Sequence, residues 1–352
     1  MEKRGVTKSG AHAMPSSAAR RIRYFDLLRG AAIAMVVAIH CFPRSFTPAD
    51  VGVLSLAIRN ALNVAVPVFL AISGYFLAGK DMSGGGYASF LKKQIPRVYV
   101  PMLFCSLPYV RWDLRDGLSV LPALKAVTCS YSVFYFVAVI IQCYLLLPFL
   151  ARRASRKWFA ILFVLGFIYG LVNTYVFGVW LHADLPLIVY AGHFVMWGAF
   201  FHLGVCHRKN RIALPYGVLW AGALVFLVLS LAESGFLVGC QSSLRGVGQK
   251  ASAFCLNVFL LEILFHEKTI SFADRFGGSA VYRGLCAVGD YSFGIYLTHL
   301  LVLVYAVSKI PLWNGRYSTW MAETVLVVAF CLVGLWAAKK ALPKASRILL
   351  GV

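Results

Sequence analysis

Charged residues are scarce in this sequence, and acidic residues are the scarcest. Only 13% of the 352 residues are charged, and Asp and Glu together number 13 against 34 Lys and Arg. We find no soluble domain that could carry this basic charge, so the net charge of +21 does not indicate a protein that binds nucleic acid. The sequence also lacks a CxxC motif and any Cys/His spacing typical of zinc, so we expect no metal site.

Long apolar runs dominate the sequence instead. Hydrophobic residues make up 60% of the chain, and the mean hydropathy is +0.77. The runs predict an all-α fold, a polytopic membrane helix bundle with about ten transmembrane helices, because a run of this length crosses a bilayer as a helix. The predicted spans are 24–42, 60–79, 98–112, 131–150, 158–178, 185–206, 213–233, 251–266, 286–307 and 319–338.

The distribution of basic residues predicts the orientation of the bundle. Most of the 34 Lys and Arg residues fall in the two tails and in the loops on the same side of the bundle. Because basic loops stay in the cytoplasm, we expect both termini to be cytoplasmic, in a multi-pass protein of the bacterial inner membrane. The basic loops would lie against anionic lipid headgroups. Oligomeric state cannot be read from the sequence.

We expect a single membrane domain over residues 24–340. A basic flexible tail, 1–23, precedes it, and a short basic tail, 341–352, follows it. The first span shows no cleavage site of a signal peptide.

The first span, RYFDLLRGAAIAMVVAIH, contains three ionisable residues. Arg29 and His40 are eleven residues apart, which places them within about 20° on the same helical face and separates them by about 16 Å along the axis. Asp26 lies three residues before Arg29, close enough to pair with it. Ionisable groups within spans usually face a polar cavity and mark function. The alternative is an interfacial ion pair together with a buried, hydrogen-bonded histidine.

The order of motifs along the chain resembles the acyltransferase 3 family, integral-membrane proteins that acylate sugars and other surface molecules. Asp26-Leu-Leu-Arg29-Gly30 followed by His40 resembles the opening of that family. VPVFLAISGYFLAGK, from Val66, resembles its P-x-F-x-x-S-G-F segment. FYFVAVIIQCYLLLPFL and YSFGIYLTHLLVL resemble two later motifs, so the resemblance extends from the first span to about residue 303.

The resemblance implies transfer of an acyl group, expected to be acetyl, from cytoplasmic acyl-CoA to a hydroxyl of a sugar or cell-surface glycan. His40 would act as general base, or would carry the acyl group itself, and both routes remain open. Arg29 and Asp26 would belong to the same catalytic stripe. Ser73, or a backbone N–H close to it, would donate to the developing oxyanion.

The donor, coenzyme A, is strongly anionic and needs cations at the cytoplasmic side. Besides Arg29, the resemblance assigns this role to the basic stretch after the second span, which contains Lys93, Arg97 and Tyr99. Where the family often has two arginines three residues apart, this chain has Gln94 and Arg97, and a lysine at position 93 lacks the planar fork of arginine.

Four further polar residues are candidates for binding the acceptor. Gln142 and Tyr144 lie in the fourth span and could line a cavity. Tyr296 and His299 are neighbours on one helical face near the end of the chain. For this last pair, a buried hydrogen-bonded contact is at least as good an interpretation as a catalytic one.

Two other classes of protein fit part of the pattern. A transporter or flippase for a glycan or small metabolite, without acyl transfer, would also have polar residues and prolines within its spans. The sequence shows no paired halves with matching interruptions, which weakens that alternative. A haem-binding electron carrier would need two histidines that face each other across helices.

Overall fold

The computed structural model describes residues 17–45, 52–80, 82, 85–117, 119–183, 185–209, 214–240, 250–310 and 316–352. Every regular element in these ranges is helical, and they contain no β-strand. The α-helices are α1 Ser17–Ser45, α2 Val53–Leu62, α3 Ala65–Leu77, α4 Gly86–Asp113, α5 Leu121–Val127, α6 Tyr135–Arg152, α7 Arg156–Leu171, α8 Leu187–Ala191, α9 Phe194–Lys209, α10 Tyr216–Gly239, α11 Ala251–Phe265, α12 Glu267–Asp274, α13 Ala280–Asp290, α14 Ser292–Tyr305, α15 Tyr317–Ala341 and α16 Pro343–Leu349.

Eight helical segments of the described residues are long and apolar enough to cross a membrane. They are Ile22–Phe42, Val53–Leu77, Ser132–Arg152, Arg156–Trp180, Leu187–Lys209, Tyr216–Gly239, Ser292–Lys309 and Tyr317–Ala341. Each overlaps one of the predicted spans, which confirms a multi-pass helical protein. The number ten and the orientation of the termini stay predictions.

The other two predicted spans, 98–112 and 251–266, lie in helices that are not among these eight segments. The first lies in α4, a helix of 28 residues that contains three prolines. Lys92, Lys93 and Arg97 reduce its apolar content in the first half. The second is α11, an apolar helix of 15 residues, which is shorter than the eight segments above.

The predicted tails are partly helical. Residues 1–16 lie outside the described residues, and 17–23 form the start of α1. At the other end of the chain, α16 packs against α4 and α15.

Two helix crossings are close enough to require glycine. A Cβ atom on Gly30 of α1 would lie 1.9 Å from the carbonyl oxygen of Leu285 in α13, and one on Gly289 would lie 2.2 Å from the carbonyl oxygen of Asp26. A Cβ on Gly74 of α3 would similarly meet the backbone of α9 at 2.0 Å. Small residues at membrane helix crossings let backbones approach closely, so these glycines fix α1 against α13 and α3 against α9.

Helix α1 lies at the centre of the bundle and contacts α3, α13, α14 and α15. The indole N–H of Trp320, on α15, donates to the carbonyl oxygen of Ala38 at 2.8 Å. Ala38 lies two residues before His40, so this hydrogen bond holds α15 beside the half of α1 that carries the histidine.

Candidate active site

A cavity of about 590 Å³ lies inside the bundle. Its wall is built from α1, the α2–α3 segment, α4, the start of α6, α8, α9 and the α13–α14 junction. The charged and polar side chains on this wall are Arg29, His40, Arg59, Asn63, Ser73, Gln94, Arg97, Tyr135, Tyr144, Tyr190, Asp290, Ser292 and Tyr296. The cavity therefore joins most of the residues that the sequence singled out.

One end of the cavity is marked by Arg29. Its Nη1 donates to Oδ1 of Asp26 at 3.0 Å, so the predicted pair is formed. Its guanidinium also lies over the ring of Phe76, 5.1 Å from the centroid. Arg97 and Asp290 line the same cavity, and the Arg97 side chain is exposed, so the cavity reaches the protein surface at this residue.

The α2–α3 segment runs antiparallel to α1 along the cavity. The contact of Arg29 with Phe76 places the start of α1 beside the end of α3. The cavity-facing residues of this segment, Arg59, Asn63, Val66, Phe69 and Ser73, recur at steps of three or four residues, as one helical face requires. Ser73 therefore lies toward the Arg29 end, and Arg59 lies about 20 Å away along the segment, at a rise of 1.5 Å per residue.

His40 marks the other end, and His299 lies against it. The two imidazole rings are 5.2 Å apart between centroids and tilted by 47°. His299 Nδ1 lies 2.8 Å from the carbonyl oxygen of Tyr296 and 3.1 Å from that of Ile295. Because a carbonyl only accepts, Nδ1 carries a proton, and in the neutral ring Nε2 keeps its lone pair. Nε2 is buried and has no hydrogen-bond partner among the described residues, so in the neutral ring its lone pair is free to accept beside His40.

Arg59 is a functional candidate that the sequence analysis placed in a loop. The predicted second span began at residue 60, whereas α2 begins at Val53 and carries Arg59 inside the candidate span Val53–Leu77. Its Nη1 atom is buried and has no hydrogen-bond partner. The spacing of Arg59, Asn63 and Ser73 on one helical face was the signal in the sequence that could have identified it.

Aromatic side chains form the wall between the two ends. Tyr296 donates its hydroxyl to the carbonyl oxygen of Val133, which fixes the ring, and its centroid lies 5.6 Å from that of Phe136. Tyr144 lines the cavity and packs its ring edge-on against Phe90 at 5.5 Å. Of the four predicted acceptor residues, Tyr144 and Tyr296 line the cavity, and His299 contacts it through His40.

Lys93 and Tyr99, predicted to bind the donor, lie outside the cavity wall. Lys93 is exposed on α4, whereas Gln94 and Arg97, three residues apart, occupy the face of α4 that lines the cavity. The Tyr99 hydroxyl donates to the carbonyl oxygen of Val127 at 2.7 Å, a contact that ties α4 to the end of α5.

Gln142 also lies off the cavity wall, where its side chain braces the junction of α8 and α9. Its Nε2 donates to the carbonyl oxygens of Ala138 and Gly192, at 3.1 and 2.7 Å. Its Oε1 accepts from the backbone N–H of Phe194 at 2.8 Å. This junction carries Tyr190 and Trp197 into the cavity wall, so Gln142 acts on the site through the backbone of the junction.

We expect Gln142→Leu to lower stability by about 1–3 kcal/mol, because it leaves polar backbone groups without partners. The affinity for the donor should stay unchanged, since Arg29 and Arg97 lie on other helices. Thermal unfolding in detergent measures the first quantity, with Leu145→Ala, at an exposed position of the same helix, as control. Unchanged stability with a raised acceptor KM would instead make Gln142 a direct acceptor contact.

Three polar residues to which the sequence assigns no role, Glu262, His193 and His202, lie in defined surroundings. Glu262 of α11 lies 3.2 Å from His207 Nε2 of α9, which is a contact between two helices away from the cavity wall. His193 is exposed, whereas His202 is fully buried, so they share no site.

These features define a helical membrane protein with an internal polar cavity, cations at both ends and two facing imidazoles. The chain belongs to the acyltransferase 3 family, because the family model described as an acyltransferase domain matches residues 22–339. The protein is therefore a multi-pass membrane acyltransferase by family, as the order of motifs predicted.

Two curated relatives are similar over a shorter stretch. The chain is 32% identical over 147 residues to a serine/alanine racemase of Enterococcus gallinarum, which covers 38% of this chain and 20% of that protein. It is 34% identical over 132 residues to an amino-acid racemase of Enterococcus faecalis, covering 34% of this chain and 18% of that protein. The chain thus spans about a fifth of the length of the curated relatives it matches. No solved structure matches it.

Proposed function

We propose that the protein transfers an acyl group, acetyl in the first instance, from cytoplasmic acyl-CoA to a hydroxyl of a sugar or cell-surface glycan. The observation that carries this proposal is one cavity that is lined by Arg29 and Arg97 and has His40 on its wall about 16 Å along α1 from Arg29. The family supplies the reaction type, and the cavity supplies a path between a place for an anionic donor and a base.

The Arg29 end suits the anionic part of coenzyme A. Guanidinium groups bind phosphate through two parallel hydrogen bonds, and Arg97 is exposed where such a donor would enter. Arg29 is held by Asp26 and Phe76, so its position is set before the donor arrives. The pantetheine arm would then lie along the face of α1 that leads to His40, about 16 Å from Arg29.

At the His40 end, the reaction needs a base for the acceptor hydroxyl. His40 takes the hydroxyl proton while the oxygen attacks the thioester carbonyl carbon, which forms the new C–O bond. The C–S bond then breaks, and the imidazolium returns the proton to the departing sulfur. The His299 ring packs against that of His40, and in the neutral ring its unpartnered Nε2 could accept a hydrogen bond from the imidazolium that forms on His40. Ser73 lines the wall toward the Arg29 end, away from His40, so in this proposal it contacts the donor instead of the developing oxyanion for which it was predicted.

The orientation follows from the distribution of basic residues. With both termini in the cytoplasm of a bacterial inner membrane, the Arg29 end faces the donor and the His40 end lies in the outer half of the bilayer. This arrangement suits an acceptor presented on the outer face. It requires the acyl group to cross most of the membrane inside the cavity.

Vesicles of the two orientations test this proposal. We expect radiolabelled acetyl-CoA to label membrane or periplasmic glycans when it is supplied to inside-out vesicles, and to be inert outside right-side-out vesicles. Vesicles from a strain lacking the protein serve as control. Labelling from the outer face alone would reverse the orientation. Glycan translocation without any protein-dependent labelling would favour the transporter alternative.

Replacing Arg29 tests the donor site. Arg29→Gln should raise the Kd for coenzyme A by about 10- to 100-fold, since a charge-assisted hydrogen bond contributes about 1.5–3 kcal/mol. Asp26→Asn keeps the guanidinium and should change donor affinity by a smaller factor. Calorimetric titration of the purified protein with coenzyme A measures both. If both variants are destabilised and neither changes Kd, then the pair is a structural ion pair.

A further inference from the structure

We propose that the His40 end of the cavity binds an anionic group of the acceptor through Arg59. The acceptor would then be a hydroxyl compound that also carries a carboxylate or a phosphate. This inference rests on the proposed function and adds the chemical class of the acceptor to it.

Arg59 lacks a partner among the residues that the structure describes. Its Nη1 is buried without a hydrogen bond, and no carboxylate of the described residues forms an ion pair with it. Its neighbour Asn60 points its amide elsewhere, donating to the Ser230 carbonyl oxygen at 3.4 Å and to the Ser234 hydroxyl at 3.3 Å. A cation held inside a membrane span without a counter-charge costs several kcal/mol, and such residues generally serve a ligand.

The two ends of the cavity differ in the partners of their arginines. Arg29 is paired with Asp26 at 3.0 Å and stacked on Phe76, and Asp290 lies on the same part of the wall. Acidic residues therefore compensate the donor end, whereas no carboxylate of the described residues pairs with the guanidinium at the His40 end. A donor whose phosphates lie at Arg29 cannot also place them at Arg59, because the two residues lie at opposite ends of the cavity. The charge of Arg59 is thus left for a second ligand.

The surroundings of Arg59 suit a ligand that carries both an anion and hydroxyl groups. Arg59 shares the cavity wall with His40, Tyr135 and Tyr190. A guanidinium fork fits a planar carboxylate or a phosphate, and tyrosine hydroxyls and rings suit a polyhydroxylated compound. An acceptor anchored by its anion at Arg59 would present a hydroxyl to His40.

The test compares a strain lacking the protein with the same strain carrying wild type, Arg59→Gln, Arg59→Lys or Arg275→Gln. Arg275 is exposed and away from the cavity, so it is the matched control. Membranes and cell extract from each strain are incubated with radiolabelled acetyl-CoA. Products that depend on the wild-type protein are separated on an anion exchanger at neutral pH, and their masses distinguish a phosphate from a carboxylate.

We expect the wild-type product to be anionic and to fall at least tenfold in Arg59→Gln, with an intermediate yield in Arg59→Lys. Coenzyme A affinity and the amount of folded protein should be the same for the Arg59 variants and for Arg275→Gln. A neutral product, or an anionic product formed equally by Arg59→Gln, would overturn this inference alone. A neutral product lost in Arg59→Gln would assign the guanidinium to the reacting oxyanion instead. Absence of any protein-dependent product would overturn the proposed function as well.

Discussion

His40→Ala should lose acyl transfer by at least about 10²–10⁴-fold, the usual contribution of a positioned general base. The loss should be larger if the histidine also carries the acyl group, because covalent transfer has no substitute when the nucleophile is removed. Donor affinity should stay near the wild-type value, since Arg29 lies at the other end of the cavity. Release of free coenzyme A thiol and incorporation of labelled acetate measure the two halves of the reaction.

The matched control for His40 is His193→Ala, which removes an exposed imidazole from outside the cavity wall. His299→Gln should have a smaller effect than His40→Ala. It should lower kcat without changing the Kd for the donor, and it should shift the pH profile of kcat, because His299 acts through His40. Near-normal transfer by folded His40→Ala protein would contradict the assignment of the base.

Gly30→Ala should strongly reduce the amount of folded protein. The added Cβ would lie 1.9 Å from the carbonyl oxygen of Leu285, a backbone atom that cannot rotate away. Overpacking costs about 1–3 kcal/mol where side chains can adjust, and more is expected where two backbones must separate. Separation of α1 from α13 would also displace Arg29, the residue before Gly30. Thermal unfolding of the purified protein in detergent measures the effect.

Gly235→Ala is the matched control, because no other heavy atom lies within 4 Å of its would-be Cβ. It lies in a long membrane helix, where alanine is favoured over glycine by about 1 kcal/mol, so stability should hold or rise. Equal behaviour of the two variants would show that α1 and α13 are not packed as closely as the structure has them.

Much of the architecture was predictable because apolar runs of span length have few alternatives to crossing a membrane. The eight spans that the structure supports were all present as predicted runs. The pairing of Asp26 with Arg29 followed from helical spacing alone. The common face of Arg29 and His40 followed from the same geometry, and both line one cavity.

The ends of the spans were less predictable, and this concealed Arg59. A boundary drawn at residue 60 excludes an arginine because arginine is costly in a bilayer. The structure continues the helix through it to Val53, since the preceding residues are apolar. A charged residue at the end of an apolar run can therefore belong either to a loop or to the wall of a cavity. The second case is indicated when the residue shares a helical face with polar residues further along the run.

Partners distant in sequence account for the other departures. Gln142 was assigned to the acceptor because it is polar within a span, but its partners at Gly192 and Phe194 are about 50 residues away. Tyr99 likewise has a partner distant in the sequence, since its hydroxyl donates to the carbonyl oxygen of Val127. Asp290 could not be linked to Arg29 before α13 was known to cross α1 at Gly30. Local spacing predicts which face a residue occupies, but tertiary contacts decide what that face meets.

The most direct test of the central claim is a structure of the protein with a non-hydrolysable thioether analogue of acetyl-CoA, determined in a lipid nanodisc by electron cryo-microscopy. We expect density for the phosphates at Arg29 and Arg97, density for the pantetheine along α1, and the acyl group within reach of His40. Density for the analogue on the outer surface of the bundle, or with its acyl end away from His40, would contradict the claim.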